Sequence, residues 1–204
     1  MEEQAIALRE LAGEIAACPK CDLSKTRTHA VPGEGSPNAD IVFIGEGPGF
    51  YEDQQARPFV GPAGKFLDEL LASIGLRRQD VYICNVIKCR PPNNRDPLPG
   101  EIAACKPWLD RQLEIISPKV IVTLGRFSMS RYFPGQSISR IHGQPRRLGE
   151  VTVVPMYHPA AALHQASLRR VIEQDFQKLP ALLAEALKEA PKPREPEAVQ
   201  IQLL

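Results

Sequence analysis

The chain has 204 residues, 43% hydrophobic and 24% charged, which is enough apolar material for one substantial core. A net charge of +1 excludes a uniformly basic nucleic-acid binder but not a local basic patch. The first residues carry acids and no apolar signal-peptide core, and no later run is long enough to span a bilayer. We therefore expect a cytoplasmic monomer without membrane contact.

Short β-branched runs alternate with segments of helical spacing. After an amphipathic segment from Glu3 to Ala17, the predicted strands are "ADIVFIGEG", "DVYICNVI", "PKVIVTLG" and "EVTVVPMY". The predicted helices are "GKFLDELLASIG", "GEIAACKPWLDRQLEIIS", one from Arg126 to about Phe133, and one from about Ala166 into the Lys188 region. This alternation predicts an α/β domain, a three-layer α/β/α fold with a central four-stranded parallel sheet. The domain takes residues 1–190, and the Pro- and Glu-rich residues 191–204 are predicted to be a disordered tail.

Polar residues stand where the predicted strands end. Glu46 follows the first strand, Asn85 ends the second and His158 follows the fourth. Singly, each is more simply a turn, a loop cap or a structural imidazole, and "GEGPG" lacks the spacing of a dinucleotide fingerprint. Ligands bind at the carboxyl ends of parallel strands, so their shared edge predicts a site.

Cysteines form the second candidate site. Cys84 and Asn85 face opposite sides of a strand, so Cys84 is interpreted as a small buried hydrophobe. The early CxxC follows a helical segment instead of opening a helix, which disfavours a thioredoxin-like redox pair. Four thiolates suit zinc or an iron–sulfur cluster, and the wide separation of the last two, with prolines nearby, favours iron–sulfur. The predicted ligands are Cys18, Cys21, Cys89 and Cys105.

Three stretches carry a family resemblance: "GEGPGFYEDQQARPFVGPAGKFLDELL", "VYICNVIKCRPPNNRDPLPGEIAAC" and "MYHPAAAL". In this order, and with those cysteines, they closely resemble the family 4 uracil-DNA glycosylases, which are iron–sulfur enzymes of bacteria and archaea. The resemblance runs from Cys18 to about Lys178. It implies hydrolysis of the bond between uracil and deoxyribose in single- and double-stranded DNA, leaving an abasic site, and one 4Fe-4S cluster on the four cysteines.

The resemblance also implies how the base is bound. A stacked uracil is inaccessible, so it must be flipped into a pocket. Phe59 matches the family's stacking aromatic, and Asn85 matches the amide that pairs with O4 and N3 of uracil. Glu52 occupies the position near C5, where it would crowd a thymine methyl.

The chemical step is assigned in the same way. His158 matches the residue that donates to O2 of the departing uracil, and Glu46 matches an acid that orients water or stabilises the sugar cation. Gly47 stands where the best-known branch of the superfamily has an aspartate that helps to activate water. The general base is therefore unidentified.

Contacts with DNA and partners are predicted less specifically. Lys88, Arg90 and Arg169 are expected to neutralise phosphates and Leu163 to fill the space left by the flipped base, although solvated charges and a core leucine are the simpler interpretations. The last five residues, Gln200–Leu204, resemble the peptides by which bacterial repair proteins dock on the replication sliding clamp; a terminal apolar stretch without a partner is the alternative. Two rival functions stay open: a non-catalytic iron–sulfur protein that recognises uracil-containing DNA, and a zinc-stabilised nucleotide-binding domain.

Overall fold

A computed structural model describes residues 2–188. The strands are β1 (Glu34–Gly35), β2 (Ile41–Gly45), β3 (Tyr82–Asn85), β4 (Val120–Leu124), β5 (Arg146–Leu148) and β6 (Val151–Met156). The helices are α1 (Glu2–Ala16), α2 (Phe50–Gln55), α3 (Pro62–Ser73), α4 (Pro99–Ile116), α5 (Arg126–Ser130), α6 (Ile138–Ile141), α7 (Pro159–His164), α8 (Ser167–Phe176) and α9 (Leu179–Lys188). Three short 3-10 turns cover Asp22–Lys25, Arg78–Asp80 and Pro92–Asn94.

One six-stranded sheet has the order β1-β3-β2-β4-β6-β5. The inner pairs β2–β3, β2–β4 and β4–β6 are parallel, whereas β1 and β5 pair antiparallel at the two edges. The α/β class is confirmed, but the sheet is larger than the predicted four strands and is mixed. The missed edges have no strand signal: β1 is the dipeptide Glu34–Gly35, and β5, "RRL", is exposed throughout.

The sheet is covered on both faces. Alternate residues of β2 point to opposite sides, as a strand requires. Val42 and Ile44 pack in a core with residues of α1 and α4, and Ile41 and Phe43 pack in a second core with residues of α3, α8 and α9. These two cores give the three layers.

The last predicted helix is two helices in the structure. α8 ends at Phe176, and α9 begins at Leu179 with Pro180 in its first turn. Proline lacks the N–H that a continuous helix would need there and is tolerated only near a helix start. Within residues 2–188 no helix is both long and apolar enough to cross a membrane.

Parallel pairing brings the carboxyl ends of the inner strands to one edge. Gly45 of β2 lies beside Asn85 of β3, and Leu124 of β4 lies beside Met156 of β6. The loops that leave these strands form the site.

Candidate active site

A cavity of about 470 Å³ opens at this edge of the sheet. All of the predicted catalytic and base-binding residues line it: Glu46, Gly47, Glu52, Phe59, Asn85 and His158. They come from the segment after β2, the end of β3 and the turn after β6, and the sheet brings these segments together. The cavity is of the size that proteins use for small ligands.

Asn85 is the buried polar group of the cavity. Its side chain ends β3 with 2% of the residue exposed, and Oδ1 has no hydrogen-bond partner within the described part of the chain. A Cβ atom at Gly45 would lie 2.3 Å from this oxygen, so glycine is needed beside it. A buried amide oxygen without a partner costs about 1–3 kcal/mol, which a ligand N–H would recover.

His158 is held in one tautomer. It is the N-cap of α7, and its Nδ1 accepts a hydrogen bond from the backbone N–H of Ala160 at 3.1 Å. Burial lowers the pKa of His158 from 6.5 to about 4, against a smaller opposing effect of Glu52. The ring is therefore neutral near pH 7, and because Nδ1 is an acceptor, the proton is on Nε2.

Phe59 lies against His158, with ring centroids 5.3 Å apart and an interplanar angle of 22°. Its φ of 53° is in the left-handed region, which costs a bulky residue about 1–3 kcal/mol. The guanidinium of Arg78 donates to the carbonyl of Phe59 at 3.1 Å, and Glu52 Oε1 accepts the next two backbone N–H groups, from Val60 at 2.9 Å and Gly61 at 3.0 Å. These bonds fix the ring in a strained but defined position.

Glu52 therefore joins two loops. Its second oxygen, Oε2, accepts the N–H of Gly49 at 3.1 Å, in the turn after β2. The carboxylate lines the cavity, as predicted, with its oxygens occupied by backbone donors. The suggested contact with C5 of a base stays a prediction.

Glu46 also lines the cavity. Its Oε1 accepts the backbone N–H of Phe127 at the start of α5, at 3.2 Å. Gly125, with φ of 95°, passes so close that a Cβ there would lie 2.4 Å from the same oxygen. Burial raises the pKa of Glu46, and the N–H of Phe127 and the charge of Arg126 oppose this.

Gly47 also makes close contact. A Cβ atom there would lie 2.7 Å from Cγ1 of Ile87. Ile87 lines the cavity as well, so any side chain at position 47 would have to displace part of the wall.

The four predicted ligand cysteines line one smaller cavity, between α1, α4 and the segment after β3. Three sulfurs accept side-chain or backbone N–H groups: Cys89 from Arg27 at 3.0 Å, Cys18 from Trp108 Nε1 at 3.3 Å, and Cys105 from the N–H of Lys88 at 3.3 Å. Cys84 is buried in the core and does not line this cavity, as expected.

The donors around the sulfurs favour thiolates. Burial raises the pKa of Cys105 to about 11, so a bound cation is needed to hold its thiolate. Among residues 2–188, no three His, Cys, Asp or Glu side chains are spaced to hold a single metal ion. The four cysteines line one cavity, and four thiolates suit either zinc or an iron–sulfur cluster.

The prediction that Lys88 contacts phosphate is corrected by the structure. Lys88 is 1% exposed, and its Nζ donates to the carbonyl of Asn85 at 2.8 Å and to Oε1 of Gln112 at 2.6 Å. Burial lowers its pKa. Lys88 thus supports the backbone of Asn85 from inside the fold and is out of reach of DNA.

The other predicted DNA contacts differ in their surroundings. Arg169 pairs with Glu69 at 2.6 Å and Glu173 at 3.0 Å, but its side chain is 50% exposed, so its contact with DNA stays a prediction. Arg90 adjoins the cavity lining, because its Nε donates to Oδ1 of Asn94, a lining residue, at 2.7 Å. Leu163 is 51% exposed on α7, a position that a wedge would require.

The sequence analysis missed several lining residues. Asn94, Asp96 and His164 all face the cavity. The first two follow "KCRPP" in a loop that has no periodic pattern, and His164 ends α7 directly after Leu163. Asp96 pairs with Arg126, the residue whose charge acts on Glu46. The polar stretch "NNRDP", in the loop that follows β3, was the available signal.

Comparison with known proteins places this site in a family. The model of the uracil DNA glycosylase superfamily matches residues 32–189. A type-4 uracil-DNA glycosylase of Archaeoglobus fulgidus is 53% identical over 182 residues, which cover 85% of this chain and 92% of that protein. The type-4 enzyme of Sulfurisphaera tokodaii is 50% identical over 183 residues (85% and 83%), and that of Thermotoga maritima 49% over 177 residues (84% and 92%). The chain belongs to the uracil DNA glycosylase superfamily and, within it, to the type-4 uracil-DNA glycosylases.

Proposed function

We propose that this protein flips uracil out of DNA and hydrolyses its N-glycosidic bond, leaving an abasic site as the first step of base excision repair. The observation that carries the proposal is Asn85, a buried amide whose oxygen lacks a partner in the cavity wall. Such a group selects a ligand that supplies the missing N–H.

Uracil has the complementary edge. Its N3–H donates to Oδ1 of Asn85, and its O4 accepts from the amide nitrogen of the same side chain. Cytosine presents an acceptor and a donor in the opposite order, so it would face like groups. Lys88 reinforces this selection because its bond to the Asn85 carbonyl holds the strand end in place.

Two further side chains are proposed to select uracil, one by stacking on the base and one by excluding thymine. Phe59 offers its ring to one face of the uracil, and its strained backbone is fixed from two sides by Arg78 and Glu52. Glu52 is proposed to stand beside C5, where a thymine methyl would collide with it. Its three backbone hydrogen bonds prevent it from moving aside.

Bond cleavage leaves negative charge on uracil and positive charge on the sugar. His158 is neutral and carries its proton on Nε2, so it can donate a hydrogen bond to O2 as that charge grows. Glu46 is proposed to face the sugar, where a carboxylate stabilises an oxocarbenium-like cation or orients the attacking water. The group that removes the proton from water is not assigned.

We propose that Cys18, Cys21, Cys89 and Cys105 hold one 4Fe-4S cluster. When bound, the cluster supplies the positive charge that keeps buried thiolates ionised and cross-links the chain through them. Cys18 and Cys21 would then tie the end of α1 to the segment after β3. The bond from the Lys88 backbone to Cys105 joins this region to the Asn85 strand end.

Contacts beyond the cavity are proposed from exposure. Arg90, Leu163 and Arg169 are proposed as DNA contacts on single- and double-stranded uracil-containing DNA, with Arg90 as a phosphate or base partner, Leu163 as the wedge and Arg169 as a phosphate partner. We propose a monomer that acts in the cytoplasm, where its substrate is.

Gln200–Leu204 and the predicted tail lie outside the described residues, and binding to the sliding clamp stays a prediction. Deletion of these five residues should abolish binding to the clamp and leave uracil excision intact.

The experiment uses a single-stranded oligonucleotide with one uracil, and alkali to cleave abasic sites. Cleavage at uracil, none at cytosine in a matched oligonucleotide, and a strong loss in a His158→Ala variant are expected. A folded protein that binds the uracil oligonucleotide but produces no abasic site would support the non-catalytic alternative instead.

A further inference from the structure

Two aromatic side chains are exposed beside the cavity. Phe50 is 50% exposed and Tyr51 is 53% exposed, and their rings meet edge to face with centroids 5.6 Å apart. They directly follow Gly49, which lines the cavity. The two rings form one contiguous apolar patch, and contiguous apolar surface left in solvent is a recognised sign of a binding surface.

A cation lies over one of these rings. The guanidinium carbon of Arg90 is 5.1 Å from the centre of the Phe50 ring. The Nε of Arg90 also donates to Asn94, which lines the cavity, at 2.7 Å. Phe50 and Arg90 therefore form a continuous rim between two residues of the cavity wall.

Neither ring is needed to build the helix that carries it. Phe50 and Tyr51 belong to α2, which is anchored by its acidic residues. Glu52 binds the backbone of both adjoining loops, and buried Asp53 accepts the N–H of Thr28 at 2.9 Å. Phe50 and Tyr51 are also absent from both hydrophobic cores. The hydrophobic cores thus do not account for these rings, and the Tyr51 ring lies against Gly61 beside the cavity.

We infer that Phe50, with Tyr51 at its edge and Arg90 beside it, forms a subsite that stacks the nucleobase next to the flipped uracil in single-stranded DNA. The inference rests on the proposed function. A strand whose uracil occupies the cavity must pass over its mouth, so a neighbouring base comes within reach of this rim. Aromatic rings with an adjacent guanidinium are how proteins bind unpaired bases beside a phosphate backbone.

A nucleobase fits these observations better than a protein partner does. The surface is continuous with the cavity, and the exposed apolar area at this point is two rings beside a cation instead of an extended apolar face. The positive charge of Arg90 also favours a nucleic acid, because the phosphate backbone of a strand that crosses the cavity would pass beside it.

The test compares Phe50→Ala, Tyr51→Ala and the double variant with Ile6→Ala, which removes an equally exposed side chain (46%) from α1. Affinity is measured by fluorescence anisotropy on a single-stranded oligonucleotide with one non-cleavable 2′-fluoro-deoxyuridine. A second oligonucleotide is identical except that the nucleotides on both sides of the uracil lack a base. Loss of one stacked base predicts about five- to 150-fold weaker binding of the normal oligonucleotide by Phe50→Ala.

The second oligonucleotide separates stacking from general damage to the site. Phe50→Ala should bind it as wild type does, because the base that Phe50 contacts is already gone. If Phe50→Ala and the double variant bind the normal oligonucleotide as tightly as wild type does, the inference is overturned. An equal loss of affinity for both oligonucleotides would also overturn it. Uracil release by the wild-type protein is measured in parallel. If the wild-type protein releases no uracil, the proposed function is wrong. If it releases uracil and the variants bind DNA as wild type does, only the stacking inference is wrong.

Discussion

Replacing Asn85 by alanine should separate recognition from stability. The substitution leaves N3–H and O4 of a bound uracil without partners, and each buried polar group left unpaired costs about 1–3 kcal/mol. Two such groups amount to about 2–6 kcal/mol, or a rate roughly 30-fold to 20,000-fold lower at the transition state. In the free protein the change removes an oxygen that has no partner among the described residues, so thermal stability should be retained or raised.

Single-turnover excision on a uracil oligonucleotide, with enzyme in excess, measures the first quantity, and a thermal melt measures the second. Thr123→Val is the matched control, because Thr123 Oγ1 is also buried without a partner in the described region but lies outside the cavity wall. That variant should keep the wild-type rate. An Asn85→Ala rate within about threefold of wild type would refute the reasoning, since it is less than one unpaired group should cost.

Three further predictions follow from the surroundings of other residues. Because burial lowers the pKa of His158 from 6.5 to about 4, ¹⁵N NMR of its ring should show the neutral Nε2–H form from about pH 8 down to about pH 5, and a titration near 6.5 would contradict this assignment. Lys88→Met should leave the slope of log affinity for DNA against log salt unchanged, whereas Arg90→Gln should make this negative slope shallower by about one. Equal slopes in both variants would argue against Arg90 as a phosphate contact. Cys105→Ala should lose the iron and the brown colour of the purified protein, whereas Cys84→Ala should keep both, and a colourless wild-type protein that contains zinc would favour the rival metal.

Apolar runs in the sequence predicted the inner strands of the sheet. The inner strands are short apolar runs buried on both faces; β3 ends at Asn85, and β2 ends at Gly45, directly before Glu46. The edge strands have no such pattern, because they pair only where neighbouring strands offer free backbone groups. A two-residue strand at Glu34–Gly35 is an outcome of tertiary structure.

Lys88 shows that a charged residue in the sequence need not lie on the surface of the fold. In sequence it stands with arginines beside the cysteines and suggests a basic patch. Its burial is accompanied by a hydrogen bond from its Nζ to Oε1 of Gln112 of α4, 24 residues away, at 2.6 Å. No local pattern indicates that partner. The loop that brings Asn94 and Asp96 to the cavity was missed for a related reason, since its shape comes from turns without hydrophobic periodicity.

The most direct test of the central claim is a crystal structure of the protein with free uracil. We predict that uracil lies on the Phe59 ring, with N3–H on Oδ1 of Asn85, O4 on the amide nitrogen and O2 on Nε2 of His158. Uracil that binds elsewhere, or that lies in the cavity without contacting Asn85, would contradict the account.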